Sequence, residues 1–301
     1  MRVSDSLLET VVFLGYATDA PGKGGIDCIG TGFLLIYNDV PHLVTVRHVA
    51  DQFGADPFLI RVNRIDRTGE NIHIDGARWY FADDPAVDVA VMPFDLRRPS
   101  LEYAARYIND AKETWWWNKA RKYDAGIGDF VYTVGLFRVL AGAQRNVPVV
   151  HFGIIARTPD PAGETIPIRD WRDAKGTAVI DANAYLVESQ SLRGLSGAPV
   201  FIRASNCMVR PEMIQDNPHI ADYEELGDAV VMWKLHLIGM WQGAWDAPPD
   251  HVLGLESGTE VRVPVGMGVV IPMDDVHYAL EGDELKATRD QIRQSKKDQV
   301  G

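Results

Sequence analysis

Cysteine is scarce: the 301-residue chain carries two, Cys28 and Cys207. Two thiols cannot build a disulfide framework, so an apolar core must hold the fold, and both are read as free and buried. Long apolar runs are missing as well. No stretch reaches the roughly 18 residues that a membrane-spanning helix needs. Positive charge is in deficit: 30 Lys and Arg stand against 42 Asp and Glu, a net charge of −12. Such a surface repels phosphate backbones, which argues against nucleic acid and membranes as partners. Neither HExxH nor paired Cys-x-x-Cys occurs, so no metal site is expected. The lysine of PGKGG (21–25) lacks the spacing and the following Ser or Thr of a phosphate-binding loop. The first twenty residues lack the layout of a secretory signal, so a cytoplasmic location is expected.

What is present is a globular composition, with 46% hydrophobic and 24% charged residues. Short Val- and Ile-rich runs recur at 11–17, 31–37, 42–46, 88–94, 129–137, 149–156, 184–189, 198–203, 236–243 and 265–273. Each spans four to nine residues or so, bounded by Gly, Pro or Asp, and reads as a strand. Ten or so strands with few helices predict an all-β fold of barrels or a sandwich. A short turn of helix fits 48–53. A longer helix is expected over 101–123, which contains Trp115, Trp116 and Trp117, and another from 273, with Asp274 as its N-cap. Residues 204–228 read as a long loop. The chain divides into 1–125, 126–280 and a polar tail at 281–301 that is either helical or disordered.

Three short motifs carry chemistry. TVRHVA, preceded by GTGF (30–33), brings His48; DVAVM brings Asp88; RGLSGAPV (193–200) brings Ser196. A serine hydroxyl needs a neighbouring base to accept its proton during attack, and histidine titrates in the right range. A buried carboxylate holds the imidazole tautomer and stabilises the imidazolium. The frame around Ser196 allows a tight turn whose backbone N–H groups, at Gly194 and Ser196, point at one spot and stabilise an oxyanion.

In the order His, Asp, Ser, these motifs resemble the trypsin-like (chymotrypsin-fold) serine peptidases. The resemblance covers residues 8–280 or so and implies two six-stranded antiparallel barrels with helical insertions and a C-terminal helix. It assigns His48 as general base, Asp88 as its orienting carboxylate, Ser196 as nucleophile, and Gly194 with Ser196 as oxyanion hole. No cofactor is implied, and the substrate is a protein or peptide. Gln190, six residues before the nucleophile, falls near the base of the pocket for the residue before the scissile bond. Trp241, Gln242 and Gly243 fall on the strand beside the substrate backbone, and Trp241 or Met267 would narrow that pocket toward small or medium apolar residues.

The sequence departs from digestive members at Leu195, where they carry an Asp that pairs with a freshly cut N-terminus. With few cysteines, this makes it similar to bacterial-type intracellular members. Restricted specificity or an activating partner is expected of such an enzyme. An esterase, or a catalytically silent binding module on the same fold, is the alternative. The insertion at 101–123 and the loop at 204–228 are candidate regulators.

Overall fold

Buried and outward residues alternate along 149–157 and 166–169, whereas 11–15, 58–62 and 199–202 are buried throughout and meet packed structure on both faces. In the computed structural model two large cores form, with a smaller buried cluster of Ile166, Ile168, Ala184 and Val269. The described residues are 3–84, 86–96, 99–122, 125–173, 178–203, 208–209, 223–226, 229–232, 235–247 and 263–298. The first half supplies β1 (Val11–Ala17), β2 (Ile26–Tyr37), β3 (Val40–Thr45), β4 (Phe58–Asn63), β5 (Gly69–Ile74), β6 (Tyr80–Phe81), β7 (Ala90–Pro93) and β8 (Ile108–Asn109). Their order is β5-β4-β1-β2-β3-β7-β6, with β8 added to β2 in parallel. This unit therefore has eight strands rather than six, and one pairing is not antiparallel.

The second half closes into a six-stranded barrel, β10-β13-β19-β18-β14-β9. Its strands are β9 (Phe130–Gly135), β10 (Val149–Arg157), β13 (Tyr185–Glu188), β14 (Pro199–Arg203), β18 (Leu235–Ala247) and β19 (Val263–Pro272). A hairpin of β11 (Ile166–Arg169) and β12 (Val179–Ala182) leaves this barrel between β10 and β13. The span read as a loop at 204–228 holds β15 (Met208–Val209) and β16 (Tyr223–Leu226), which join β17 (Ala229–Met232) in a small sheet. Cys207 and the rest of that span lie outside the described residues; Cys28 is free and buried. The architecture is thus all-β, an eight-stranded sheet followed by a closed six-stranded barrel.

Two helical expectations need correction. Residues 101–123 do not form one helix. They break into Pro99–Glu102, Asp110–Glu113 and Trp117–Lys122, with β8 between the first two. The competing interaction is tertiary. The Trp115 N–H donates to the Leu237 carbonyl at 2.8 Å, and Trp115 is buried with Ala120 in the second core. Asp274 is not an N-cap; it lies in the first turn of helix Met273–Leu280, and its carboxylate accepts the Trp117 N–H at 2.8 Å. The tail is helical over Asp283–Asp298. Helix Asp283–Asp298 buries Leu285 and Arg289, and Arg289 donates to the Leu280 carbonyl and to Glu281. Thr288 meets the Tyr80 hydroxyl at 2.8 Å, tying this helix to the first unit.

Candidate active site

His48 sits in the first turn of helix Arg47–Phe53, which starts directly after β3. That helix can lie close on β2 because residue 30 is glycine: a Cβ there would stand 2.8 Å from a Val49 methyl. Asp88 precedes β7, which pairs with β3, so the sheet itself brings residue 88 beside residue 48. The Asp88 side chain is fully buried. Its Oδ2 lies 2.7 Å from His48 Nδ1, and its Oδ1 accepts the His48 backbone N–H at 2.9 Å. Gln242 Nε2 donates to Oδ2 at 3.2 Å. Three donors around a buried carboxylate offset its loss of hydration and lock the imidazole orientation.

Ser196 enters from the second unit, on the turn before β14. Gly194 and Gly197 flank it at φ +104° and +86°, backbone that side-chain-bearing residues rarely adopt. A Cβ at Gly197 would also stand 2.1 Å from the Thr31 carbonyl oxygen. Leu195 is fully buried in the second core, so apolar packing fills the place of the family's charged partner. Ser196 Oγ donates to the Gln242 carbonyl at 3.1 Å. Among the described residues neither the Gly194 nor the Ser196 backbone N–H meets a protein acceptor. Both donors are therefore free for a ligand oxygen.

Thr31, the second residue of GTGF, has a role that the motif alone did not disclose. Its Oγ1 donates to the Gly194 carbonyl at 2.8 Å and accepts the Leu136 N–H at 2.9 Å. Its own N–H donates to the Ser196 carbonyl at 3.0 Å. One fully buried threonine of the first unit thus holds the turn of the second that carries Ser196. Long sequence separation hid this, since nothing near residue 31 marks residue 194 as its partner.

His48 and Ser196 line one cleft of about 460 Å³, with Gln242, Gly243, Ala244 and Asp246 along one wall. Gln242 and Gly243 lie where the strand reading put them, but Gln242 acts through its side chain on Asp88 as well as through its carbonyl. Gly243 leaves open space: a Cβ there would meet no heavy atom within 4 Å. Gln190 is exposed and does not line the cleft. Trp241 is buried, and its ring lies so close to Gly268 that any Cβ there would overlap it. Behind Asp88, a cavity of about 190 Å³ also takes in Asp84, Gln242 and Asp275. Burial, then the charges of Asp274 and Asp84, push the Asp275 carboxyl up to about 7.

No protein-family model and no curated protein matches the chain. Among solved structures, the inactive form of the Rv3671c protease is 16% identical over 91% of this chain and 88% of that one, with a TM-score of 0.45. The active form of the same M. tuberculosis protease is 17% identical, over 91% and 80%, with a TM-score of 0.46.

Proposed function

We propose that the protein is a serine endopeptidase acting through an acyl-enzyme. The observation that carries this reading is the buried Asp88 carboxylate on His48 Nδ1, which turns Nε2 toward the cleft that holds Ser196. His48 takes the Ser196 proton as the hydroxyl adds to the scissile carbonyl. The oxyanion forms at the free N–H groups of Gly194 and Ser196, each worth about 3 kcal/mol of barrier. His48 then returns the proton to the leaving amine, and water repeats the cycle on the acyl-enzyme.

In the resting site the Ser196 hydroxyl is engaged by the Gln242 carbonyl rather than by His48. Attack requires a rotation about its Cα–Cβ bond, and a substrate N–H that claims the same carbonyl would favour that rotation. This arrangement favours an enzyme switched on by substrate or by a protein partner. Trp241 packs on Gly268 within the second core and does not line the cleft, so it does not set which residue is preferred before the scissile bond. The test is a fluorophosphonate probe with intact-mass readout on the wild type and Ser196→Ala, followed by matched amide and ester substrates. One adduct on the wild type and none on the variant is expected. An unlabelled wild type that also turns over neither substrate class overturns the reading.

A further inference from the structure

The cleft extends beyond Ser196 under the β11–β12 hairpin, and this extension has a chemistry of its own. Its apolar lining is Val269 of β19 on the floor, with Ile168 and the indole of Trp171 on the underside of the hairpin. Trp245 fixes the hairpin over the cleft by donating its Nε1–H to the Pro167 carbonyl at 2.9 Å. At the far end stands Asp246, whose Oδ1 is buried and accepts no hydrogen bond. Arg169 and Asp173 also line this stretch, and the guanidinium groups of Arg47 and Arg172 lie over the Trp171 ring at 5.5 and 5.9 Å from its centroid. Arg169 is exposed and forms no ion pair with Asp246 among the described residues, and Asp173 already accepts the Ala178 N–H.

A buried acceptor without a donor costs about 1–3 kcal/mol, which an incoming donor recovers. An apolar trough that ends in a carboxylate suits a long basic side chain: methylenes lie on the floor and the cation reaches the acid. Asp246 is four residues beyond Gln242 on β18, about 13 Å along an extended strand. A substrate running antiparallel to β18 from Ser196 would place its third to fifth residue before the scissile bond there.

We infer that Asp246 selects a Lys or Arg three to five residues before the scissile bond, in a trough roofed by the β11–β12 hairpin. The inference rests on the peptidase reading for its direction along the substrate, but its test does not need turnover. Fluorescently labelled peptides with Ala before the scissile bond, and Lys, Ala or Glu scanned over the third to fifth positions, are titrated into Ser196→Ala by anisotropy. The Lys peptide is expected to bind about tenfold tighter than Ala at one position, with Glu weakest, and the gap should shrink in high salt. Adding Asp246→Asn should abolish the gap, and Asp246→Lys should reverse it toward Glu. Equal affinities for Lys and Glu peptides at every position, or a Lys preference that survives Asp246→Asn, would overturn the inference. Fluorophosphonate labelling of the wild type, with and without Asp246→Asn, is read separately. Equal labelling shows that Asp246 is not part of the catalytic machinery, and loss of labelling in the wild type counts against the peptidase reading alone.

Discussion

At the scale of single residues, the site depends on groups that constrain other groups. Asp88 constrains His48, and Gln242 constrains Asp88. Replacing Asp88 by Asn keeps the shape but offers the imidazole the wrong partner, so kcat should fall by about 10⁴ while the fold persists, measured on a matched peptide amide. Thr31 constrains the nucleophile turn. Thr31→Val removes one donor and one acceptor from a buried position at nearly constant volume. It should destabilise the protein by about 1–3 kcal/mol in urea titration and slow fluorophosphonate labelling. Full labelling rate in a folded Thr31→Val would show that apolar packing around Leu195 suffices to hold the turn.

Two buried titratable groups pull in opposite directions. Burial, reinforced by the Arg289 charge, lowers the His42 imidazole to about 4. The unfolded chain therefore binds a proton between roughly pH 6.5 and 4 that the folded chain refuses, and stability falls as pH falls. Asp275 is raised to about 7. The folded chain holds a proton there that the unfolded chain has released, so its contribution falls as pH rises from about 4 to 7. Asp275→Asn should accordingly gain stability relative to the wild type as pH rises across that window. Urea midpoints at several pH values test this; a difference that stays constant would mean that Asp275 ionises normally.

At the scale of elements, the tryptophan triplet divides its work. Trp115 is buried and stacks on His236 with ring centroids 4.0 Å apart, whereas Trp116 is 45% exposed over His277. Trp115→Ala should cost about 3–5 kcal/mol by thermal or urea unfolding. Trp116→Ala should change stability far less. None of the three lines the cleft around Ser196, so the segment reads as a strut between the units. A buried His277–Asp110 pair, 2.7 Å apart, joins the same strut to the helix at 273–280. The 101–123 pattern looks helical because Ala and charged residues dominate it. Intrinsic preference is worth a few tenths of a kcal/mol per residue, and burying one indole outweighs several of them.

At the scale of the whole molecule, the two units meet at the proposed active site. The first unit brings His48, Asp88 and Thr31; the second brings Ser196, Gln242 and the two free N–H donors. Much of this was legible in the sequence. The runs at 11–17, 149–156 and 198–203 became β1, β10 and β14 with almost the same bounds, because short β-branched runs and their flanking turn residues are local signals. His48, Asp88 and Ser196 stood out because each sits in a short motif whose glycines and apolar neighbours are dictated by close approach. Gln242 on Asp88, Thr31 under Gly194, the Trp241 ring on Gly268, and the eighth strand of the first unit were not legible. Each depends on residues far apart in the chain, and only closure of the second barrel against the first sheet decides which of them touch. The sequence by itself determined which residues can do the chemistry. The tertiary structure decided which face each of them presents, since that follows from packing and from hydrogen bonds that no local pattern encodes.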